Sequence, residues 1–144
     1  MAVDPASPDY CIGIIGAGTM GRGIAQIAVG GGIKIKLYDG FEGAARSGHE
    51  FVSRMVNRSA EKGNITQEEA VAAIARLEII DSLEGLAGVN LVIEAVIEDL
   101  DIKKELFAKL EKIVAPDCIL ASNTSSLSVT ALAAIVALIP LAVV

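Results

Sequence analysis

Four groups of residues in this chain carry backbone or side chains suited to chemistry. The first is Gly16-Ala17-Gly18-Thr19-Met20-Gly21, a G-x-G-x-x-G string between the apolar run Ile12–Ile15 and the helix-forming stretch Gly23–Ala28. Alone the string is a weak signal; between a strand and a helix it fits a phosphate cradle. Gly16 permits a sharp turn off the strand, Gly18 lets a pyrophosphate approach the backbone, and Gly21 lets the helix pack closely on the sheet. The unpaired amides of the first helical turn, together with the helix dipole, then favour an anion. The second group is Asp39, which ends the alternating run Lys34–Tyr38. A carboxylate there accepts hydrogen bonds from ribose hydroxyls, each worth about 1.5–3 kcal/mol. It repels a 2′-phosphate, so the pair of features selects NAD over NADP. The plainer alternative is a glycine turn before an ordinary packed helix, with Asp39 capping the next element. Strand, glycines, helix and acid in register favour the dinucleotide.

The third group is Ala95 to Glu98, after the apolar run Leu91–Val96, with Lys103 one turn into the helix that follows. Glu94 lies inside that run and needs a partner or a strand-end position. Glu98, in the loop beyond, is better placed to reach a ribose. Lys103 can pair with Glu98 or reach the cofactor; equally, all three can be surface charges. The fourth group is Ser122-Asn123-Thr124-Ser125-Ser126. Such a group orients a carbonyl or hydroxyl beside a nicotinamide, or caps the next helix. No histidine or lysine adjoins it, which argues against a serine-nucleophile hydrolase.

These groups need elements to hold them. Ala44 to Lys62 reads as a helix, with Phe51, Val52, Met55 and Val56 on one face and Arg46, Glu50, Arg54 and Arg58 mainly on the other. Its histidine, His49, has polar neighbours and reads as a surface residue. After Gly63-Asn64 a second helix runs to about Arg76, with Thr66 as N-cap and Glu69 at the capping-box position. The two form a hairpin inserted between strands. Its basic side chains, Arg46, Arg54, Arg58 and Lys62, make either a solvated face or a landing site for an anionic substrate. A strand at Leu77–Ile80, a short helix within Asp81–Gly88, and a strand at Leu91–Val96 follow. The helix Asp101–Val114 is amphipathic, with Ile102, Leu106, Phe107, Leu110, Ile113 and Val114 expected inward and Lys103, Lys104, Glu105, Lys109 and Glu111 mostly outward. Cys118–Ala121 is the next strand, Val129–Leu138 a helix, and Leu141–Val144 the start of a further strand. Alternating strands and helices predict an α/β fold of Rossmann type, with a doubly wound, mainly parallel sheet. Residues 1–10 read as a tail and 11–144 as one domain. All four groups then fall at the C-terminal ends of the strands, where such sheets bind ligands.

Composition supports this. The hydrophobic fraction is 53% with aromatics only 3%, as suits a buried parallel sheet under small-residue helices. The net charge of −6 argues against a nucleic-acid partner. Cys11 and Cys118 have no ligand cluster around them, so no metal is expected and both read as reduced core thiols of a cytoplasmic protein. No N-terminal signal is evident. From Leu127 to Val144 the chain is almost unbroken in apolar character. It begins inside a soluble-fold motif and has no basic flank, so it reads as a sticky surface prone to self-association rather than a membrane span.

The strings Ile14–Ala25, Leu91–Glu98 and Ala121–Leu127, taken together, closely resemble the NAD-binding domain of the 3-hydroxyacyl-CoA dehydrogenases, a family that includes the 3-hydroxybutyryl-CoA dehydrogenases. The resemblance covers about Ile12 to Ala133. It implies a pyrophosphate held by Gly16, Ala17, Gly18, Thr19, Met20 and Gly21, and an adenine ribose on Asp39. Ala95, Glu98 and Lys103 would be further cofactor contacts. Ser125 would touch both cofactor and substrate, with Asn123 beside it, and these two would be the catalytic positions present. The basic hairpin, with Arg54 and Arg58, would help hold coenzyme A. The implied reaction is reversible hydride transfer between substrate C3 and nicotinamide C4, in fatty-acid β-oxidation or butanoate-type metabolism. The family's catalytic histidine, in an H-F-F-N-P string, and the glutamate that orients it are absent. From about Ile135 the sequence leaves the family pattern, and the C-terminal helical domain that completes the cleft and the homodimer is missing. General base catalysis contributes about 10²–10⁴-fold, so the expectation is NAD binding with little or no turnover by this chain alone. The alternatives are the cofactor domain of another NAD-dependent β-hydroxyacid dehydrogenase, and a non-catalytic nucleotide-binding or interaction module.

Overall fold

The computed structural model describes residues 4–123 in full and the backbone of 141–143. The elements run β1 (Cys11–Ile15), α1 (Thr19–Gly30), β2 (Lys34–Tyr38), α2 (Ala44–Glu61), α3 (Gln67–Ala75), β3 (Leu77–Ile79), β4 (Leu91–Glu94), α4 (Leu100–Ile113), β5 (Ile119–Ser122) and β6 (Leu141–Val143). A single 3-10 turn, Leu83–Leu86, precedes β4. The expected helix Val129–Leu138 and the group Thr124 to Ser126, Ser125 included, lie outside the described residues.

All strand pairs are parallel, in the order β3-β2-β1-β4-β5-β6. The chain winds outward from β1 through β2 to β3, then returns to the other side of β1 with β4. That reversal makes the switch point of a doubly wound sheet, and the glycine string follows β1 directly. The register places Ile15, Tyr38, Glu94 and Ser122 at one level. Gly16, Asp39, Ala95 and Asn123 therefore leave the sheet along one line.

Side-chain alternation along the strands divides the core into two faces. Ile12, Ile14, Ile35, Leu37, Ile93 and Ala121 pack under α1, α2 and α3. Ile15, Val92 and Leu120 pack under α4 and the 3-10 turn, against Phe107, Leu110 and Leu86. Both faces are covered, which is why β4 reads as a nearly continuous apolar run. The α2–α3 hairpin is as expected. Gly63 turns the chain at φ 78° after α2, and the Thr66 hydroxyl accepts the Glu69 amide at 3.0 Å to start α3. On α2, Val52 and Val56 are buried while Arg46, Glu50, Arg54 and Arg58 are exposed.

Three expectations for α4 are corrected. The helix starts one residue earlier than expected, capped by the Asp99 carboxylate on the Ile102 amide at 3.1 Å. Lys103, expected outward, is fully buried, and Ile102, expected inward, is 43% exposed. The buried residues Lys103, Phe107, Leu110 and Val114 follow a helical period, so the lysine continues the apolar stripe to the strand ends. There it meets a carboxylate instead of hydrocarbon. β4 also stops at Glu94 rather than Val96, which frees Ala95 and Val96 to line the strand end.

Candidate functional site

The glycine loop is built from backbone. The Gly16 amide donates to the Tyr38 carbonyl at 2.8 Å, and φ at Gly16 is +105°, a conformation that L side chains rarely adopt. A Cβ at Gly16 would lie 2.5 Å from the Ala95 carbonyl oxygen, and one at Gly21 would collide with the Gly16 carbonyl. A Cβ at Gly18 would meet nothing within 4 Å. Two of the three glycines therefore serve packing, and the third leaves open space where the backbone must be approached. Gly18 is the N-cap of α1, with no side-chain cap and no acidic residue in the first turn. The positive end of the helix is left for an outside anion.

Asp39 does more than the sequence suggested. Its Oδ2 accepts the Ala17 amide at 2.8 Å and its Oδ1 accepts the Phe41 amide at 2.9 Å. The carboxylate thus ties the glycine loop to the exit of β2. An ionised carboxylate has about four acceptor positions, so capacity remains for ribose hydroxyls.

Above these groups lies a cavity of about 590 Å³, bounded by Gly16, Gly18 and Asp39 on one side and Ala95, Ile97 and Leu106 on another. Its size suits a bound cofactor portion. A larger concavity of about 780 Å³ lies between the C-terminal end of α1 and the α2–α3 hairpin, away from the strand ends. The smaller one is the candidate because the glycine loop and Asp39 border it. Phe41, Ile97 and Ile102 also line it, and they are 76%, 61% and 43% exposed. Sequence reading placed Ile97 only within the group Ala95 to Glu98 and did not single out Phe41 or Ile102 for the site. Their signal was apolar side chains in loops or first turns right after strand ends, where solvent exposure needs a reason.

Beyond β4 the site is built from side chains. Lys103 Nζ lies 3.1 Å from Glu94 Oε1 and 2.8 Å from Glu98 Oε1, so one cation stands between two carboxylates. Ser122 Oγ donates to Glu94 Oε1 at 2.7 Å, and the Val96 amide to Glu94 Oε2 at 2.8 Å. Lys103 also reaches the Asn123 carbonyl at 3.5 Å. Lys103 therefore pairs with Glu98, one of its three sequence readings, and is buried by the protein itself. Asn123 stands at the exit of β5, its amide donating to the Glu94 carbonyl at 2.9 Å.

Other residues lie elsewhere. Arg54 and Arg58 are exposed on α2, with the Arg54 guanidinium 5.8 Å from the Phe51 ring centre. Arg22, in α1, stacks on the same ring at 4.2 Å. His49 is half-buried rather than on the surface, its Nδ1 3.4 Å from Ser53 Oγ. Cys11 and Cys118 are free thiols, and burial pushes both up in pKa, Cys118 to about 11. Among the described residues there is no cluster of His, Cys, Asp or Glu suited to a metal, and no helix long and apolar enough to cross a membrane.

Comparison with known proteins agrees with this geometry. The profile of the 3-hydroxyacyl-CoA dehydrogenase NAD-binding domain matches residues 11–138. A probable 3-hydroxybutyryl-CoA dehydrogenase of Bacillus subtilis is 42% identical over 122 residues, covering 85% of this chain and 42% of that protein. The 3-hydroxyadipyl-CoA dehydrogenase of Escherichia coli is 38% identical over 123 residues, covering 85% of this chain and 26% of that protein. The crystal structure of (S)-3-hydroxybutyryl-CoA dehydrogenase from Ralstonia eutropha superposes with a TM-score of 0.83 at 36% identity, over 89% of this chain and 45% of that one. The chain thus spans less than half the length of these relatives. The glycine loop, the sheet order and these matches together place the chain in the 3-hydroxyacyl-CoA dehydrogenase family, of which it carries the NAD-binding domain.

Proposed function

We propose that this chain is the cofactor-holding part of an enzyme interconverting 3-hydroxyacyl-CoA and 3-oxoacyl-CoA. The observation that carries the proposal is the open α1 N-terminus at Gly18, beside Asp39, on the edge where Ala95 and Asn123 also emerge. Gly16 to Gly21 hold the pyrophosphate by backbone amides, and Asp39 takes the adenosine ribose while bracing the loop. Ile97, Ile102 and Leu106 give the adenine an apolar wall. Ala95 and Glu98 border the path toward the β5 exit, Asn123 fixes that exit, and Ser125, just after it in sequence, contacts cofactor and substrate. Lys103 acts from within, through Glu98. When bound, NAD supplies the hydride acceptor; the protein's share is to hold it and exclude water around it.

The relatives are named for butyryl and adipyl substrates alike, which supports 3-hydroxyacyl-CoA as the substrate class. Exposed Arg54 and Arg58 suit coenzyme A phosphates. The sequence contains one histidine, and its place on α2 beside Ser53 is not a strand-end position. Bound NAD without turnover is therefore the property proposed for this chain alone. The homodimer and the catalytic base that the family resemblance implies are proposed for the parent enzyme and not for this chain alone. Two free thiols and the bacterial relatives support a cytoplasmic setting.

The test is titration with NADH, followed by nicotinamide fluorescence, and then addition of acetoacetyl-CoA. Saturable binding that Asp39→Ala abolishes, with no NADH oxidation, is the expected result. Oxidation would remove the claim of inactivity. Absence of binding would remove the cofactor site itself.

A further inference from the structure

Glu94 ends β4 and is fully buried, yet no cofactor contact described above uses it. Its carboxylate takes three donors, Ser122 Oγ–H, the Val96 amide and Lys103 Nζ. Its carbonyl takes a fourth, the Asn123 amide. Lys103 extends the cluster to Glu98 and to the Asn123 carbonyl. One residue thus joins the exit of β4, the exit of β5 and the first turn of α4.

The sheet does not need this tie for cohesion. β4 and β5 already pair from Leu91 with Ile119 to Glu94 with Ser122, and Phe107 and Leu110 seal the face beneath. A buried ion pair is weak evidence for stability, since apolar packing of similar volume often does as well. What the cluster adds is direction. It fixes the backbone at Val96 and Asn123, just beyond the ends of β4 and β5. A dinucleotide crosses such a sheet at its switch point. The adenosine end belongs to the β1–β2 side, with the glycine loop and Asp39, so the other nucleotide lies over the exits of β4 and β5.

We propose that Glu94 is a positioning residue for the nicotinamide half of the cofactor, acting through Ser122, Val96 and Lys103 and touching no ligand itself. This rests on the NAD-binding reading of the site. Its signature is selectivity between ligands. ADP reads only the β1–β2 side, whereas NADH reads both.

The experiment compares the unmodified chain with Glu94→Gln and Ser122→Ala, measuring NADH by nicotinamide fluorescence and ADP by calorimetry. Losing one charge-assisted hydrogen bond scales to roughly tenfold in affinity when it is fully transmitted. The expected result is NADH binding weakened about tenfold by Glu94→Gln and a few-fold by Ser122→Ala, with ADP binding within about twofold of the original. Equal losses for both ligands would show a general structural role and overturn the proposal, as would unchanged NADH binding. If Glu94→Gln fails to fold, Ser122→Ala decides by the same criterion. An unmodified chain that binds no NADH would overturn the cofactor site and this inference with it, an outcome distinct from a variant that behaves like the unmodified chain.

Discussion

The two halves of the site are built from different materials. On the β1–β2 side, backbone does the work: Gly16 turns, Gly21 admits the Gly16 carbonyl, and Gly18 leaves space. The acidic side chain at the end of β2, Asp39, spends two hydrogen bonds on amides of its own loops. On the β4–β5 side, side chains do the work, with Glu94, Lys103 and Ser122 buried together beneath the strand exits. A backbone cradle serves any pyrophosphate and tolerates little change in shape. A buried ionic cluster is sensitive to charge and sets the aim of the segments that leave it. The first half suits a common cofactor handle, and the second suits the end where a reaction must be oriented.

The largest test of this contrast is Lys103→Met. Volume is nearly kept, but the fully buried Glu94 carboxylate loses the cation beside it. Removing one partner of a buried pair costs about 3–5 kcal/mol. Chemical denaturation should show a loss of that order, and unchanged stability would mean the cluster is not ionic in the folded protein.

A smaller effect separates the two glycines that close and open the cradle. Gly21→Ala gains under about 1 kcal/mol in helix propensity but drives a methyl into a backbone carbonyl, and overpacking of that kind costs about 1–3 kcal/mol or more. Gly18→Ala faces open space at an ordinary φ of −72°, so its stability should stay within about 0.5 kcal/mol. Its NADH affinity should nevertheless fall by about tenfold, because the methyl occupies the approach to the loop. If both variants lost stability alike, or if Gly18→Ala bound NADH normally, the division between packing and binding glycines would be wrong.

The smallest effect concerns the start of β5, at the far end of that strand from Ser122. Burial, and then the nearby Asp117 charge, raise the Cys118 thiol from its ordinary 9.0 to about 11. The folded state therefore keeps a proton that the unfolded chain loses. The associated stability is complete below pH 9 and is lost as pH rises through about 11. Tyr10 shifts in the same direction through burial. Thermal melts between pH 8 and 11 should fall, and Cys118→Ala should flatten part of that fall. An equal slope in the variant would move the alkaline sensitivity away from this thiol.

Local pattern determined much of the protein. The glycine string, the alternation at Lys34–Tyr38 with Asp39 behind it, and the hairpin boundaries at Gly63 and Thr66 are all read from neighbours in sequence. Each depends on backbone conformation or side-chain period within a few residues. From these the parallel order and the strand-end location of the site follow. The Lys103 placement was available in principle, since Lys103, Phe107, Leu110 and Val114 share one helix face and Glu94 shares a strand face with Val92. It was missed because a lysine among polar neighbours ordinarily belongs in water, and only the carboxylates five and nine positions earlier in the chain make its burial tolerable.

Tertiary structure alone decided the rest. The Asp39 brace on Ala17, the cavity that sets Ile97, Ile102 and Leu106 against Gly16 and Asp39, and the meeting of Glu94 with Ser122 all join residues distant in sequence. Sequence states which groups need partners. Which partner each one finds is fixed by strand register and by the angle at which α4 crosses the sheet, because hydrogen bonds and ion pairs act over about 3 Å and no local period encodes a contact across 28 residues.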